Sequence, residues 1–186
     1  MNSKISDRIR AILTGTFLLI AYGVLASSIT QQKLVVLLAD VISGIAVIGI
    51  AVLMYPLFKL VKRKVSKVYL VLKYTEGILM ITGGFIFLGS STQYLRSTIY
   101  EDIHVYVFII SAFLFYYLLY ETKLVPRFVS VWGTLGIFAL LVSTFLSLLQ
   151  IEYPALDYLL VLIITNEMFL AIWLMAKGFD KTSFEN

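Results

Sequence analysis

Lys59-Leu60-Val61-Lys62-Arg63-Lys64-Val65-Ser66-Lys67 places five basic residues between two apolar stretches, Leu34–Phe58 and Val68–Gly89. A helix rises about 1.5 Å per residue and needs roughly 20 residues to cross about 30 Å of hydrocarbon. Both flanks meet that length. So much charge cannot rest inside hydrocarbon, so the pattern predicts a chain that crosses a bilayer, turns in water and crosses back.

Working outward, the same reading gives Ile9–Ile29 before this pair, and Ile103–Tyr120, Phe128–Leu149 and Ala155–Ala176 after it. The fourth is the shortest, and its tyrosines, Tyr106, Tyr116, Tyr117 and Tyr120, suggest that it sits close to both interfaces. The expected fold is all-α: a polytopic bundle of six transmembrane helices forming one membrane domain over residues 1–186. Composition agrees. Of 186 residues 60% are hydrophobic and 14% charged, and mean hydropathy is +0.94, a balance that a water-soluble domain does not show.

The loops set the orientation. Lys4, Arg8 and Arg10, the five residues of the central run, Lys123, Arg127, Lys177 and Lys181 fall on one side, against Lys33 and Arg96 on the other. Glu101, Asp102, Glu152 and Asp157 make that second side acidic. The positive-inside rule then puts both termini in the cytoplasm, in a bacterial inner membrane. The net charge of +4 follows from topology and does not call for nucleic acid. Leu25-Ala26-Ser27-Ser28 loosely resembles a signal-peptide cleavage site, but the apolar core before it exceeds an ordinary h-region, so the first span is expected to be retained.

The chain has no cysteine and one histidine, which excludes disulfides, thiolate chemistry and a bis-histidine haem within one chain. No cofactor is implied. Ala39-x-x-x-Ser43 with Gly44 and Gly49, and Gly83-Gly84, mark places where another backbone can approach or a helix can bend. Pro126 fits the start of the fifth helix, with Arg127 and Trp132 as interface anchors. Tyr69-Leu70-Val71-Leu72 before Thr75-Glu76 faintly matches Tyr158-Leu159-Leu160 before Thr165-Asn166-Glu167, the pattern an inverted repeat of three spans would leave.

Leu124-Val125-Pro126-Arg127-Phe128-Val129-Ser130-Val131-Trp132-Gly133 and Asn166-Glu167-Met168-Phe169-Leu170-Ala171-Ile172-Trp173-Leu174-Met175-Ala176-Lys177-Gly178-Phe179 resemble a bacterial multi-pass family catalogued as domain of unknown function 4386. The basic-x-x-Glu pattern at Lys73 and Glu76 is similar too, although arginine is usual where Lys73 stands, and Gln where Asn166 stands. The resemblance implies the six-span fold and draws attention to the two glutamates. It implies no substrate.

Those glutamates are the candidate site. By helix rise Glu76 and Glu167 each lie roughly 13–14 Å from the cytoplasmic end of their spans, so they would meet if spans three and six are neighbours. An ionisable group at that depth costs several kcal/mol unless paired. Lys73 shares a helix face with Glu76. In a purely structural reading Lys73 neutralises one glutamate while Asn166 or Thr75 satisfies the other. In a functional reading one carboxyl keeps its proton and binds a proton, a cation or the polar end of a small or lipid-like ligand. Two carboxylates can also act as acid and base on a lipid or isoprenoid. No serine–histidine or metal-ligand pattern accompanies them, so the catalytic signal is weak. A structural subunit, in a homo-oligomer or a larger complex, is the third possibility, with membrane lipids as partners in every case. On the outer side Asp40 needs a partner, with Arg96 or His104 in range. Asp40, Asp102 and His104 make a weaker candidate for a divalent-cation site.

Overall fold

A computed structural model describes residues 6–89, 94–151 and 155–180. Lys4, Glu152 and Lys181 of the charge count lie outside the described residues, as do the side chains of Ala26, Ser27, Asp157 and Tyr158. The described residues are helical, with no strand among them.

Helix α1, Asp7–Ala21, starts where the Ser6 hydroxyl accepts the Ile9 amide at 3.3 Å, an N-cap followed by an acidic first turn. It passes at Tyr22–Ser28 into a 3-10 turn, so the α-helix stops well short of the expected span end at Ile29. The next helical run, Lys33–Gly89, is 57 residues long, about 85 Å by helix rise and far more than one bilayer thickness. It breaks at Lys62 (φ −136°, ψ 71°), in the middle of the basic run, into two arms, α2 over 33–61 and α3 over 63–89. The arms fold back on each other. A Cβ built on Gly44 would come within 2.6 Å of the Gly77 carbonyl oxygen, and one on Gly77 within 2.6 Å of the Gly44 oxygen. Gly84 likewise faces Asp40. The small residues of the second span thus serve the close approach expected of them. Gly83-Gly84 is a tight crossing and not a bend, with Gly83 lying against the Tyr100 ring.

Helix α4, Tyr94–Thr122, carries π-helical turns at Ile99–His104. Its helical extent is 29 residues, so it is not the short element expected at 103–120. The polar stretch before Ile103 reads as an interfacial loop, but Arg96 is buried and bound by Asp40 of α2, which holds that stretch in the helix. Helix α5, Arg127–Leu148, follows Pro126, which stands at the N-cap, and α6, Ala155–Ala176, completes the order. Among the described residues Asp7–Leu25, Lys33–Gly89, Tyr94–Thr122 and Arg127–Leu148 are long and apolar enough to cross a membrane, and Leu160–Ala176 is a shorter apolar stretch.

The elements close into a ring. α1 packs on α6, α6 on α5 and α5 on α4. α4 meets α3 where Tyr69 stacks on Phe115 at 5.8 Å, and α2 meets α1 where the Phe17 ring lies against Gly49. One end of the ring gathers the chain's turns. The Arg8 guanidinium donates to the carbonyls of Met175 (2.8 Å) and Ala176 (3.1 Å), and the Asp180 amide donates to Leu124 (2.9 Å). At the same end Lys62 reaches Glu121 at 3.4 Å, and that hydrogen bond holds its ammonium above the ordinary lysine range.

Candidate functional site

Inside the ring is a cavity of about 250 Å³, with side chains from each of the helices α1 to α6 on its wall. Most are aliphatic, such as Leu18, Val47, Met80, Leu140 and Ile163. Its polar groups are Tyr22, Lys73, Glu76, His104 and Glu167.

On α3, residues 69, 73, 76, 80 and 83 recur at helical spacing and point inward, so Tyr69, Lys73, Glu76 and Met80 are all buried. Lys73 Nζ lies 3.1 Å from Glu76 Oε1 and 2.9 Å from Oε2, and 5.4 Å from the centre of the Phe108 ring. On α4 the spacing repeats at His104, Phe108, Ser111 and Phe115. Ser111 Oγ donates to Glu76 Oε2 at 2.6 Å. Glu76, 2% exposed, is therefore held by an ammonium and a hydroxyl together.

Glu167 is held differently. The Tyr22 hydroxyl donates to its Oε2 at 2.8 Å. Tyr22 stands where α1 tightens into the 3-10 turn, and its backbone amide donates to the Leu19 carbonyl three residues back. The tightening aims the ring across to α6. Glu167 keeps some accessible surface and lines the cavity. The buried hydroxyls of Tyr69 and Tyr116 lie within electrostatic reach of it, and neither has a hydrogen-bond partner among the described residues.

The two glutamates share the cavity, but not because their helices are neighbours. α3 and α6 stand on opposite sides of the ring and face each other across it. Nor do Asn166 and Thr75 serve them. Asn166 Nδ2 donates to the Val129 carbonyl of α5 at 2.9 Å, and exposed Thr75 bonds back to Val71 of its own helix at 3.1 Å. Each is one residue from a glutamate, which in a helix is about 100° round the axis. Tyr22 and Ser111 take the roles that sequence reading gave them.

Toward the end of the bundle away from the basic turns, Asp40 is fully buried and receives Arg96 in a fork, Nε at 2.9 Å to Oδ2 and Nη2 at 2.8 Å to Oδ1. The Arg96 guanidinium also lies 4.3 Å from the Tyr100 ring centre. Asp102 is exposed, and no group of three or more acidic or histidine side chains among the described residues is placed to hold a metal ion. The structure therefore does not assemble Asp40, Asp102 and His104. His104 lies 5.0 Å from Tyr100 and 6.4 Å from Phe108 by ring centres, and its buried Nε2 has no partner among the described residues. It stands at the end of the π-helical turns and lines the cavity wall.

The family described as Domain of unknown function (DUF4386) matches the chain in two stretches, residues 12–99 and 92–178. The chain belongs to the DUF4386 family. No curated protein and no solved structure matches it. Among the positions that carry the resemblance to DUF4386, Lys73, Glu76 and Glu167 line the central cavity, whereas Asn166, Pro126 and Arg127 belong to helix packing and a helix start.

Proposed function

We propose that this DUF4386 member is a six-span protein of the bacterial cytoplasmic membrane, with both termini inside, that binds or translocates a small or lipid-like ligand, a proton or a cation at the cavity between Glu76 and Glu167. One observation carries the reading: the walls are aliphatic, and among the described residues Glu76 takes the one lysine ammonium of the cavity while Glu167 is hydrogen-bonded by the Tyr22 hydroxyl alone. A helix-pinning salt bridge needs only the first carboxylate. The second is an ionisable group presented to a cavity, the arrangement expected of a site and not of a brace. The two carboxyls have separate partners and stand on facing helices, which favours binding over acid–base catalysis.

Leu140 lines the cavity and is partly buried, so Leu140→Trp fills the space from its wall. Native mass spectrometry of protein extracted from its own membrane should release a small molecule from wild type and not from Leu140→Trp, at matched melting temperature. If the released molecules are the same from both proteins, the cavity reading fails.

A further inference from the structure

Resting on that reading, we infer that the cavity takes a lipophilic monovalent cation, an amine or quaternary ammonium with a short apolar body, in exchange for a proton on Glu167. The inference is a charge count made inside a ring of apolar helices. The polar groups that share the cavity or its border with Glu167 are Tyr22 from the 3-10 turn after α1, Tyr69, Lys73 and Glu76 from α3, and His104, Tyr116 and (on Glu76) Ser111 from α4. The residues that α2 and α5 turn to the cavity, Val47, Ile50 and Leu140, are apolar.

Of these groups Lys73 alone is a fixed cation, and it is within 3.1 Å of both oxygens of Glu76. We count His104 as neutral, since an imidazolium there would bury an N–H at Nε2 with no acceptor among the described residues. Two carboxyls and one ammonium leave the cavity one positive charge short. A proton on Glu167 closes the deficit, and so does a bound organic cation whose head takes the place of that proton. An uncharged ligand does not close it. An anionic one widens it. The aliphatic walls match the body of such a cation, and the rings of Tyr22, His104 and Phe108 in the wall can offer its positive head their π faces. Because proton and cation neutralise the same carboxyl, each excludes the other.

The test uses hexyltrimethylammonium, whose charge no pH change removes, and hexanol as its uncharged counterpart. Binding of both to the purified protein in lipid nanodiscs is measured by equilibrium dialysis, with Leu140→Trp nanodiscs as background. The cation should bind saturably and release about one proton as read by an indicator dye in weak buffer. As pH falls through the titration of Glu167, its affinity should weaken by about tenfold per pH unit, the slope for one exchanged proton. Glu167→Gln should lose both the binding and the proton release. Hexanol binding as well as the cation, or cation binding without pH dependence, overturns the exchange while leaving the binding cavity intact. If neither probe binds above the Leu140→Trp background, the exchange falls, and the cavity reading then stands or falls on the extracted-ligand comparison.

Discussion

Glu76 and Glu167 differ in what remains when each loses its charge. Glu76→Gln leaves the Lys73 ammonium buried at 7% exposure without its counter-ion, and breaking such a pair costs about 3–5 kcal/mol. Thermal unfolding in detergent should show that loss, and adding Lys73→Met should recover most of it. Glu167→Gln keeps an acceptor for the Tyr22 hydroxyl and strands no charge, so its melting temperature should stay near wild type. A marked loss in Glu167→Gln that Lys73→Met repairs would make Glu167 a second counter-ion of the lysine, and the site structural. Of this arrangement the Lys73–Glu76 pair is legible in the sequence, since three residues along a helix is one face. Ser111, Tyr22 and His104 are not, because each reaches the cavity from another helix. A serine in an apolar helix ordinarily satisfies itself on its own backbone, and Ser111 Oγ also lies 3.0 Å from the Phe108 carbonyl, so its one proton is shared between that oxygen and Glu76. Asn166 and Thr75 mislead for the opposite reason: nearness in sequence stands in for a direction that the helix does not give them.

Between elements, the fold turns on how closely α2 and α3 approach. Gly44 and Gly77 meet backbone to backbone one residue from Glu76, so the depth and facing of the carboxylate depend on that contact. A methyl at Gly77 has to displace the Gly44 carbonyl or the Ile48 side chain, both within 2.6 Å of it. Gly77→Ala should destabilise by about 1–3 kcal/mol, the usual cost of overpacking. Gly89, where a Cβ meets nothing within 4 Å among the described residues, is the control, and Gly89→Ala should leave the melting temperature unchanged. The same logic holds for the pair joining α2 to α4. Arg96→Ala leaves the Asp40 carboxylate buried and unpaired, a loss of about 3–5 kcal/mol, and Asp40→Asn on that background should restore part of it. The small residues of α2 and the glycine pair of α3 are readable as contacts, since side-chain size is written in the sequence. The ends of α1 and α4 are not. They depend on a turn tightened at Tyr22 and on an arginine whose partner lies 56 positions away in the chain.

For the whole molecule, sidedness follows from which turns share an end. Arg8 binds the last carbonyls of α6, Asp180 binds the turn after α4, and Lys62 at the reversal of α2 into α3 binds Glu121. The start of α1, the α2–α3 turn, the α4–α5 turn and the end of α6 therefore lie together, and these segments carry the basic residues. The pair Asp40–Arg96 is away from that end, beyond the cavity. If that basic end faces the cytoplasm, as the positive-inside rule expects, both termini lie inside. Because the chain has no cysteine, single cysteines report the orientation without background. Lys64 and Glu101 are both exposed, one in the basic turn and the other at the opposite end. In intact cells a membrane-impermeant maleimide should label Glu101→Cys and spare Lys64→Cys, which should react only once the membrane is opened. A reporter fused after Asn186 should read cytoplasmic. Labelling of Lys64→Cys in intact cells would reverse the bundle, and Glu76 and Glu167 would then be measured from the outer face.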